Sequence, residues 1–339
     1  MYHAFRMSQP SSEIPDVERD VETLPALAVT YSDRVSIDRD VLAVIGFGRT
    51  AALDHPRFFR VHLEPLNENA PRFEVWRAHG EVRHGRDGDV QWMSDSNYSM
   101  AVVELDETAH GGVIEATRRA YASLVTWVRA SATPHFLRIW NYFDAINDGE
   151  GDDERYRQFC SGRAAGLGPS FAGNYPAASA IGSHSDGKRV QVYAIAARVP
   201  GTAVENPRQW SAWRYPRQYG PTAPGFARGM RAPTHSPQLY ISGTAAVVGH
   251  ASHHAGDIDA QLDETMKNLD SLLQSAQSKT PLGHGAGDIL KVYVRHPEHA
   301  SLIESKLRER LGAKVPMVLL RGDICRAELL LEIDGVHTG

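Results

Sequence analysis

Glu332 is the residue whose surroundings in the sequence point most directly to chemistry. It is a single carboxylate inside an apolar run, Leu329 to Ile333, that is typical of a buried β-strand. A buried carboxyl group has a raised pKa and can donate a proton near neutral pH. The alternative is a glutamate on the solvent face of an edge strand, which the strand pattern alone favours. Cys325, seven residues earlier, is by itself interpreted as a small core residue.

Two groups of arginines are candidates for binding an anion. One group lies on a predicted helix and the other in a connector rich in aromatic residues. The helix carries Arg155, Arg157 and Arg163, and the connector carries Arg208, Arg214 and Arg217 beside Trp210, Trp213, Tyr215 and Tyr219. Guanidinium groups pair bidentately with carboxylates, so arginine beside aromatic walls suits a ring-containing dicarboxylate. The alternative is a solvated helix face and a structural connector.

Two other motifs are weak. The segment GFGRTA (46–51) has the glycine spacing of a dinucleotide-binding turn, but Pro56 and a strand-like run follow it where that turn requires a helix. His250, His253 and His254 lie in a predicted loop and are interpreted as surface histidines rather than metal ligands. The sequence also lacks an HExxH motif, a G-x-S-x-G elbow and a Walker loop. We therefore expect no metal and no cofactor.

The composition indicates an ordinary globular protein, with 42% hydrophobic and 23% charged residues among 339. A net charge of −5 without a basic run argues against nucleic acid as a partner. Cys160 and Cys325 are too few for a disulfide framework. No run approaches the roughly 20 apolar residues of a membrane span. We expect a cytosolic protein with no membrane partner and a loosely held arm at residues 1 to about 24. Whether it is a monomer or a homo-oligomer is left open.

The elements that must position these residues occur in a repeated order. Predicted helices begin at residues 111 and 154, with strands before, between and after them, and the same order returns with helices at 257 and 298. This periodicity predicts an α+β fold built from two copies of a β-α-β-α-β-β unit. The last two predicted strands, Val315–Arg321 and Glu328–Ile333, flank a short turn, and we expect them to pair.

Several long motifs resemble known families. The chain's ending, with LYISGTAAVVGH (239–250) and GDILKVYVRHPEHASLIESKLRERLG (287–312), resembles the RidA/YjgF superfamily. The whole chain from about residue 41 to 336 resembles the chorismatases, which have a RidA-like C-terminal half. Their other shared segments are like residues 138–164 and the connector NPRQWSAWRYPRQYGP (206–221). The resemblance implies a divergent RidA-like, chorismate-mutase-like half with the arm at 1–205, a connector at 206–237 and a second half at 238–339.

The resemblance also implies a function. Chorismatases act on chorismate, and the branch marked by a cysteine at the position of Cys325 makes an aromatic product. This implies conversion of chorismate to 3-hydroxybenzoate and pyruvate, with 4-hydroxybenzoate as a second product in a related branch. Glu332 would be the proton donor. The implied substrate-binding residues are Arg157, Arg163, Tyr215, Gly243 and Thr244.

Three alternatives stay open at this point. A chorismatase of the other branch would hydrolyse chorismate to a dihydroxycyclohexadienoate. A RidA-like imine deaminase would use Glu332 with Arg321 as the partner of the substrate carboxylate. A non-catalytic protein of the same fold would bind a small acid without reaction, because fold does not determine function.

Overall fold

Four strands near the N-terminus form a sheet of their own. A computed structural model describes residues 22–339 except 50, 68, 172 and 186; residues 1–21 of the predicted arm lie outside the described residues. The strands are β1 (Ala28–Ser32), β2 (Val41–Phe47), β3 (Phe58–Val61) and β4 (Phe73–Arg77). The apolar strand β2 is buried along its whole length. The sequence predicts three of these strands but not their separate sheet.

The middle of the chain forms a larger sheet against which two helices pack. The strands are β5 (Arg83–Asp87), β6 (Val90–Ser94), β7 (Tyr98–Asp106), β8 (His135–Asp144), β9 (Ala177–Ser183) and β10 (Arg189–Ala197). The helices are α1 (Val113–Ala130) and α2 (Arg155–Leu167), which follow β7 and β8. The apolar periodicity of α1 predicts a buried face that includes Val113, Ile114, Leu124 and Val128; Ile114 is exposed, whereas the other three are buried.

The C-terminal part of the chain repeats this arrangement. Its strands are β11 (Thr202–Val204), β12 (Gly229–Arg231), β13 (Gln238–Thr244), β14 (Val247–Val248), β15 (Ala251–Ser252), β16 (Ile289–Val294), β17 (Met317–Arg321), β18 (Asp323–Ile324) and β19 (Leu331–Thr338). Its helices are α3 (Ile258–Ser275) and α4 (Ala300–Leu311). Asp257 caps α3 by accepting a hydrogen bond from the backbone N–H of Ala260. In the described part of the chain, no helix combines the length and apolar composition that crossing a membrane requires.

The two helix-containing sheets have the same topology. Beyond its edge strand β18, the middle sheet has the order β9-β8-β10-β7-β6-β5, and the C-terminal sheet matches these six strands one for one as β17-β16-β19-β13-β12-β11. In each sheet the first of these pairs is parallel and its other pairs are antiparallel. Corresponding helices begin at residues 113 and 258, and at 155 and 300. The predicted α+β fold with a duplicated unit is confirmed.

The N-terminal sheet repeats the arrangement of four strands of the C-terminal sheet, and no helix accompanies it among the described residues. Its order is β1-β4-β2-β3, with β2 and β3 parallel and the other pairs antiparallel. The strands β13-β19-β16-β17 have the same order along the chain and the same directions. The protein therefore contains three related sheets, although the helical periodicity of the sequence reveals only two.

The predicted pairing of the last two long strands is wrong. β17 and β19 both pair with β16, which lies between them. The segment that joins them contributes β18, and β18 pairs with β9 of the middle sheet. The sequence around Cys325 therefore crosses from the C-terminal sheet to the middle sheet, which brings Cys325 and Glu332 to the boundary of the two units.

Candidate active site

A cavity of about 480 Å³ lies where the middle and C-terminal units meet. Its walls come from α2, from the connector between β11 and β12, from β9 and β13, and from the segment between β18 and β19. Six of the seven predicted site residues line it: Glu332, Cys325, Arg157, Arg163, Tyr215 and Gly243. Thr244 is the seventh and lies outside this set.

Glu332 reaches the cavity from the start of β19. The residue is only 5% exposed, and burial raises the pKa of its carboxyl group to about 8. The negative charge of Asp334 raises this pKa further, whereas Arg138 and Arg228 lower it. With a pKa of about 8, the carboxyl group is largely protonated at neutral pH and is suited to donate a proton.

Gly243 leaves space for the carboxyl group of Glu332. A Cβ atom at this position would collide with Oε1 of Glu332, so a larger residue would displace the carboxyl group. Thr244 follows Gly243 but is 3% exposed, and its hydroxyl donates to the carbonyl of Ser242 at 2.9 Å. Its side chain therefore stabilises the irregular end of β13.

Arg163 is the arginine best placed to receive an anion. It projects from α2, is 3% exposed, and has no hydrogen-bond partner for Nε and Nη2 among the described residues. Its guanidinium lies 5.5 Å from the ring centre of Tyr121. A buried guanidinium with unpaired donors is costly unless an anion binds it, so its place in the cavity wall indicates a carboxylate site. Arg157 is partly committed elsewhere, since its Nε donates to Glu154 at 2.8 Å.

Two further arginines line the cavity, and neither is among the predicted substrate-binding residues. Arg228 donates through Nη2 to the hydroxyl of Tyr215 and to the carbonyl of Trp210, both at 2.7 Å, and its Nε has no partner in the described part of the chain. Arg326 stacks on Tyr219 with 3.9 Å between guanidinium carbon and ring centre. Arg326 directly follows the predicted site residue Cys325, and this position in the sequence could have identified Arg326 as a cavity residue. Arg228 has no comparable signal.

Three of the other arginines singled out in the sequence form ion pairs within the protein. Arg155 pairs with the buried Glu107 at 2.6 Å, and Arg208 pairs with Glu264. Arg217 forms an exposed pair with Asp152 at 2.5 Å. The alternative of a structural connector is therefore right for part of this set.

Cys325 lines the cavity as an unpaired thiol. Burial raises its pKa to about 12, and the charge of Glu332 adds to this effect. The thiol is therefore neutral at physiological pH and is not an activated nucleophile. Because Cys325 lies beside Glu332, its side chain helps to determine the shape and polarity of this part of the cavity.

The motifs interpreted as weak have structural roles. His250 packs edge-on against Trp210 with 4.7 Å between ring centres, and His254 lies 3.4 Å from Glu264. Across residues 22–339, without the four that are not described, no group of three or more histidine, cysteine or acidic residues is arranged to hold a metal. β2 ends at Phe47 and β3 begins at Phe58, and no helix occurs in the described residues between them.

Comparison with known proteins identifies relatives over most of the chain. The family model of the chorismatase FkbO/Hyg5-like N-terminal domain matches residues 74–196. A 3-hydroxybenzoate synthase of Streptomyces hygroscopicus is 33% identical over 88% of this chain and 92% of its own length. A chorismatase of Streptomyces rapamycinicus is 34% identical over 78% of this chain and 81% of its own length. A chorismatase crystal structure superposes with a TM-score of 0.81 and 30% identity, covering 93% of this chain and 99% of the other. The chain belongs to the chorismatase family.

Proposed function

We propose that this protein is a chorismatase that converts chorismate to 3-hydroxybenzoate and pyruvate. The observation that carries the proposal is the protonated Glu332 in a cavity that is also lined by Arg163, whose Nε and Nη2 have no hydrogen-bond partner among the described residues. The cavity volume of about 480 Å³ suits a small ring with two carboxylates. Relatives named 3-hydroxybenzoate synthase and chorismatase support the same assignment.

The reaction begins with a proton transfer. Glu332 donates its proton to the methylene carbon of the enolpyruvyl ether, which creates an oxocarbenium-like centre next to the ether oxygen. The neighbouring ring hydroxyl then displaces pyruvate, giving an arene oxide, and this opens to the hydroxybenzoate. Chorismate has the same atoms as the two products together, so no water is consumed. The hydroxyl loses its proton as it attacks, and this proton restores Glu332. When the arene oxide opens, the proton lost from the ring carbon is balanced by protonation of the phenol oxygen.

The arginines hold the two carboxylates and balance their charge. Arg163 offers two unpaired donors from α2, and Arg228, directly before β12, offers one. Tyr215 accepts a hydrogen bond from Arg228 and is thereby fixed against the cavity. We assign one carboxylate to Arg163 with Arg157 nearby, and the other to Arg228 with Arg326. Preorganised donors of this kind stabilise developing charge without reorganisation during the reaction.

Cys325 is proposed to decide the product. Water attacking the oxocarbenium centre would give the diol, whereas attack by the substrate's own hydroxyl gives the aromatic acid. A neutral, poorly hydrated thiol beside Glu332 fills the space in which a water could otherwise lie. The cavity wall therefore favours the route without water.

The imine deaminase is less well supported. That alternative needs Arg321 to bind the substrate carboxylate, but Arg321 is exposed and is absent from the cavity lining. Its backbone N–H donates to the carbonyl of Glu64 and holds the N-terminal sheet against β17. Because Glu332 lines the cavity and Arg321 does not, the site suits chorismate better than a small imino acid.

The experiment that tests the proposal is incubation of the purified protein with chorismate, followed by assay of pyruvate and chromatography with mass detection of the ring product. We expect 3-hydroxybenzoate, with pyruvate in equal amount. Glu332→Gln removes the proton but retains the size of the side chain, so pyruvate release should fall by roughly 10²–10⁴-fold. Glu328→Gln is the matched control, because Glu328 also borders the cavity but is exposed. If the parent binds chorismate and releases no pyruvate, the protein is a binding protein.

A further inference from the structure

We infer that Asp334 is a positioning residue whose buried negative charge keeps Glu332 in its protonated form. The inference rests on the proposed function, because it names the group that holds the proposed acid ready. It assigns a role in the reaction to a residue that is absent from the cavity lining. The two carboxyl groups of β19 then have different roles: Glu332 donates the proton, and Asp334 keeps Glu332 protonated.

The surroundings of Asp334 are those of a fixed anion. It is fully buried, and Oδ2 accepts hydrogen bonds from three side chains: Arg138 Nη2 at 2.9 Å, Ser179 Oγ at 2.7 Å and Tyr293 Oη at 2.9 Å. We call Asp334 and these three residues the Asp334 cluster. Its other oxygen, Oδ1, has no partner among the described residues. All three donors bind Oδ2, so the carboxylate is held in a fixed position, but its charge is not fully compensated by hydrogen bonds.

Asp334 and Glu332 are close enough to influence each other. They are two residues apart on β19, so their side chains project from the same face of the sheet. Ser179 links them in space, because its Oγ bonds to Asp334 and lies beside the position where a Cβ of Gly243 would collide with Glu332. The charge of one carboxylate disfavours ionisation of the other at this range.

The charged and titratable groups facing Glu332 come from four places. Asp334 lies on its own strand, Arg138 on β8, Arg228 directly before β12, and the neutral thiol of Cys325 after β18. Burial is the first cause of the raised pKa of Glu332 and the charge of Asp334 is the second, ahead of the opposing effects of the two arginines. Replacing Asp334 by a neutral residue should therefore lower the pKa of Glu332.

The experiment measures the protonation of Glu332 directly. Infrared difference spectra between the parent and Glu332→Gln isolate the carbonyl stretch of the Glu332 carboxylic acid, and its loss is followed as the pH is raised. The same titration is carried out in Asp334→Asn. We expect the midpoint in that variant to be lower by about one pH unit or more. The alkaline limb of pyruvate release against pH should move in the same direction, because the protonated form is the active one.

Controls separate this role from a structural one. Tyr293→Phe removes one donor of the Asp334 cluster but no charge, so its midpoint should stay near that of the parent. If Asp334→Asn does not fold because Arg138 is left unpaired, the double variant Arg138→Gln/Asp334→Asn removes both charges. Since Asp334 outweighs Arg138 in its effect on the pKa of Glu332, the midpoint should still fall, by less.

The outcomes are distinguishable from failure of the proposed function. An unchanged midpoint in a folded variant that lacks the charge of Asp334 overturns the inference, even if the parent converts chorismate at full rate. Absence of pyruvate release in the parent overturns the proposed function alone, since the infrared titration needs no turnover. A loss of stability with no change in the midpoint would assign the Asp334 cluster to the fold only.

Discussion

Glu332 and Asp334 illustrate how neighbours, rather than residue type, divide the work between two carboxyl groups. Both are buried on the same face of one strand. Asp334 receives three hydrogen bonds, one of them from Arg138, whereas burial and charge determine the state of Glu332. Two like charges this close cannot both form readily in a buried site. The proton therefore stays with Glu332, which accepts no hydrogen bond from the described residues and lines the cavity.

The raised pKa of Glu332 should have a cost in stability at alkaline pH, which Glu332→Gln removes. The folded-state pKa of about 8 lies above the ordinary value of 4.5. The stability that Glu332 contributes is therefore fully present below about pH 4.5 and is lost as the pH rises through about 8. Glutamine is neutral throughout. Urea unfolding should show parent and variant similar near pH 5 and the variant more stable near pH 9. A variant that is less stable at both values would contradict the raised pKa.

Cys325→Ala should change what is made more than whether pyruvate is released. Protonation by Glu332 precedes the step at which the products diverge, and the neutral thiol acts after it. We expect chorismate to be consumed, with the product moving from hydroxybenzoate toward the diol. Chromatography with mass detection of both variants measures this. Cys160→Ala is the matched control, because Cys160 is buried in α2 and is absent from the cavity lining. If Cys325→Ala makes the same product as the parent, Cys325 contributes only to packing.

The sequence alone can identify some of these residues and not others. Glu332 is visible because it is a carboxylate inside an apolar run, whereas Cys325 is singled out only by the family resemblance. The residue pattern does not separate Arg163 from Arg155, and only the family resemblance favours Arg163. The fold shows that Arg155 is paired with Glu107, whereas two nitrogens of Arg163 have no partner among the described residues. Arg228 lies far from Glu332 along the chain and reaches the cavity only when the connector folds back over it. Such residues need the tertiary structure.

At the scale of elements, the main error of sequence reasoning concerns strand pairing. Two apolar runs around a glycine turn normally predict a hairpin. Here β16 occupies the place between β17 and β19, so the turn becomes a crossing to β9. Which strands pair depends on which other strands of the sheet lie next to them, and the local sequence pattern of a strand contains no information about its neighbours. Periodicity did predict the helices, because their buried faces are a local property.

Gly166→Ala should destabilise the packing of α2 on α1 and disturb Arg163. A Cβ at Gly166 would lie 2.5 Å from the carbonyl oxygen of Arg118 and 2.6 Å from the Cβ of Tyr121. Both contacts are rigid, so the helices must separate, at a cost of about 1–3 kcal/mol. Urea unfolding measures this cost. Because Arg163 lies against Tyr121, the KM for chorismate should rise as well.

The control for this prediction is Ala164→Ser, which changes an exposed position of the same helix. It should remain within about 0.5 kcal/mol of the parent. If Gly166→Ala is equally mild, the two helices are free to move apart, and Arg163 owes its position to other contacts.

At the scale of the whole molecule, the three related sheets are joined by buried pairs of opposite charge. Arg138 of the middle unit pairs with Asp334 of the C-terminal unit at 2.9 Å, and Lys291 of the C-terminal unit pairs with Glu74 of the N-terminal sheet at 3.0 Å. Sequence periodicity could not reveal the third sheet, because its connections carry no helix among the described residues. Its relation to the others exists only in strand order and direction.

Glu74→Gln should destabilise the entire protein rather than the N-terminal sheet alone. Glu74 and Lys291 have side chains that are 1% and 4% exposed, so the variant leaves a buried ammonium group without its carboxylate. Removing one partner of a buried ion pair costs about 3–5 kcal/mol. Because the pair joins two units and a second pair joins the third, we expect one transition at lower urea, coincident by tryptophan fluorescence and circular dichroism. Glu81→Gln, at an exposed position, should leave that midpoint unchanged. Two separate transitions in Glu74→Gln, with chorismate turnover surviving the first, would mean that the N-terminal sheet folds independently of the unit that contains Glu332.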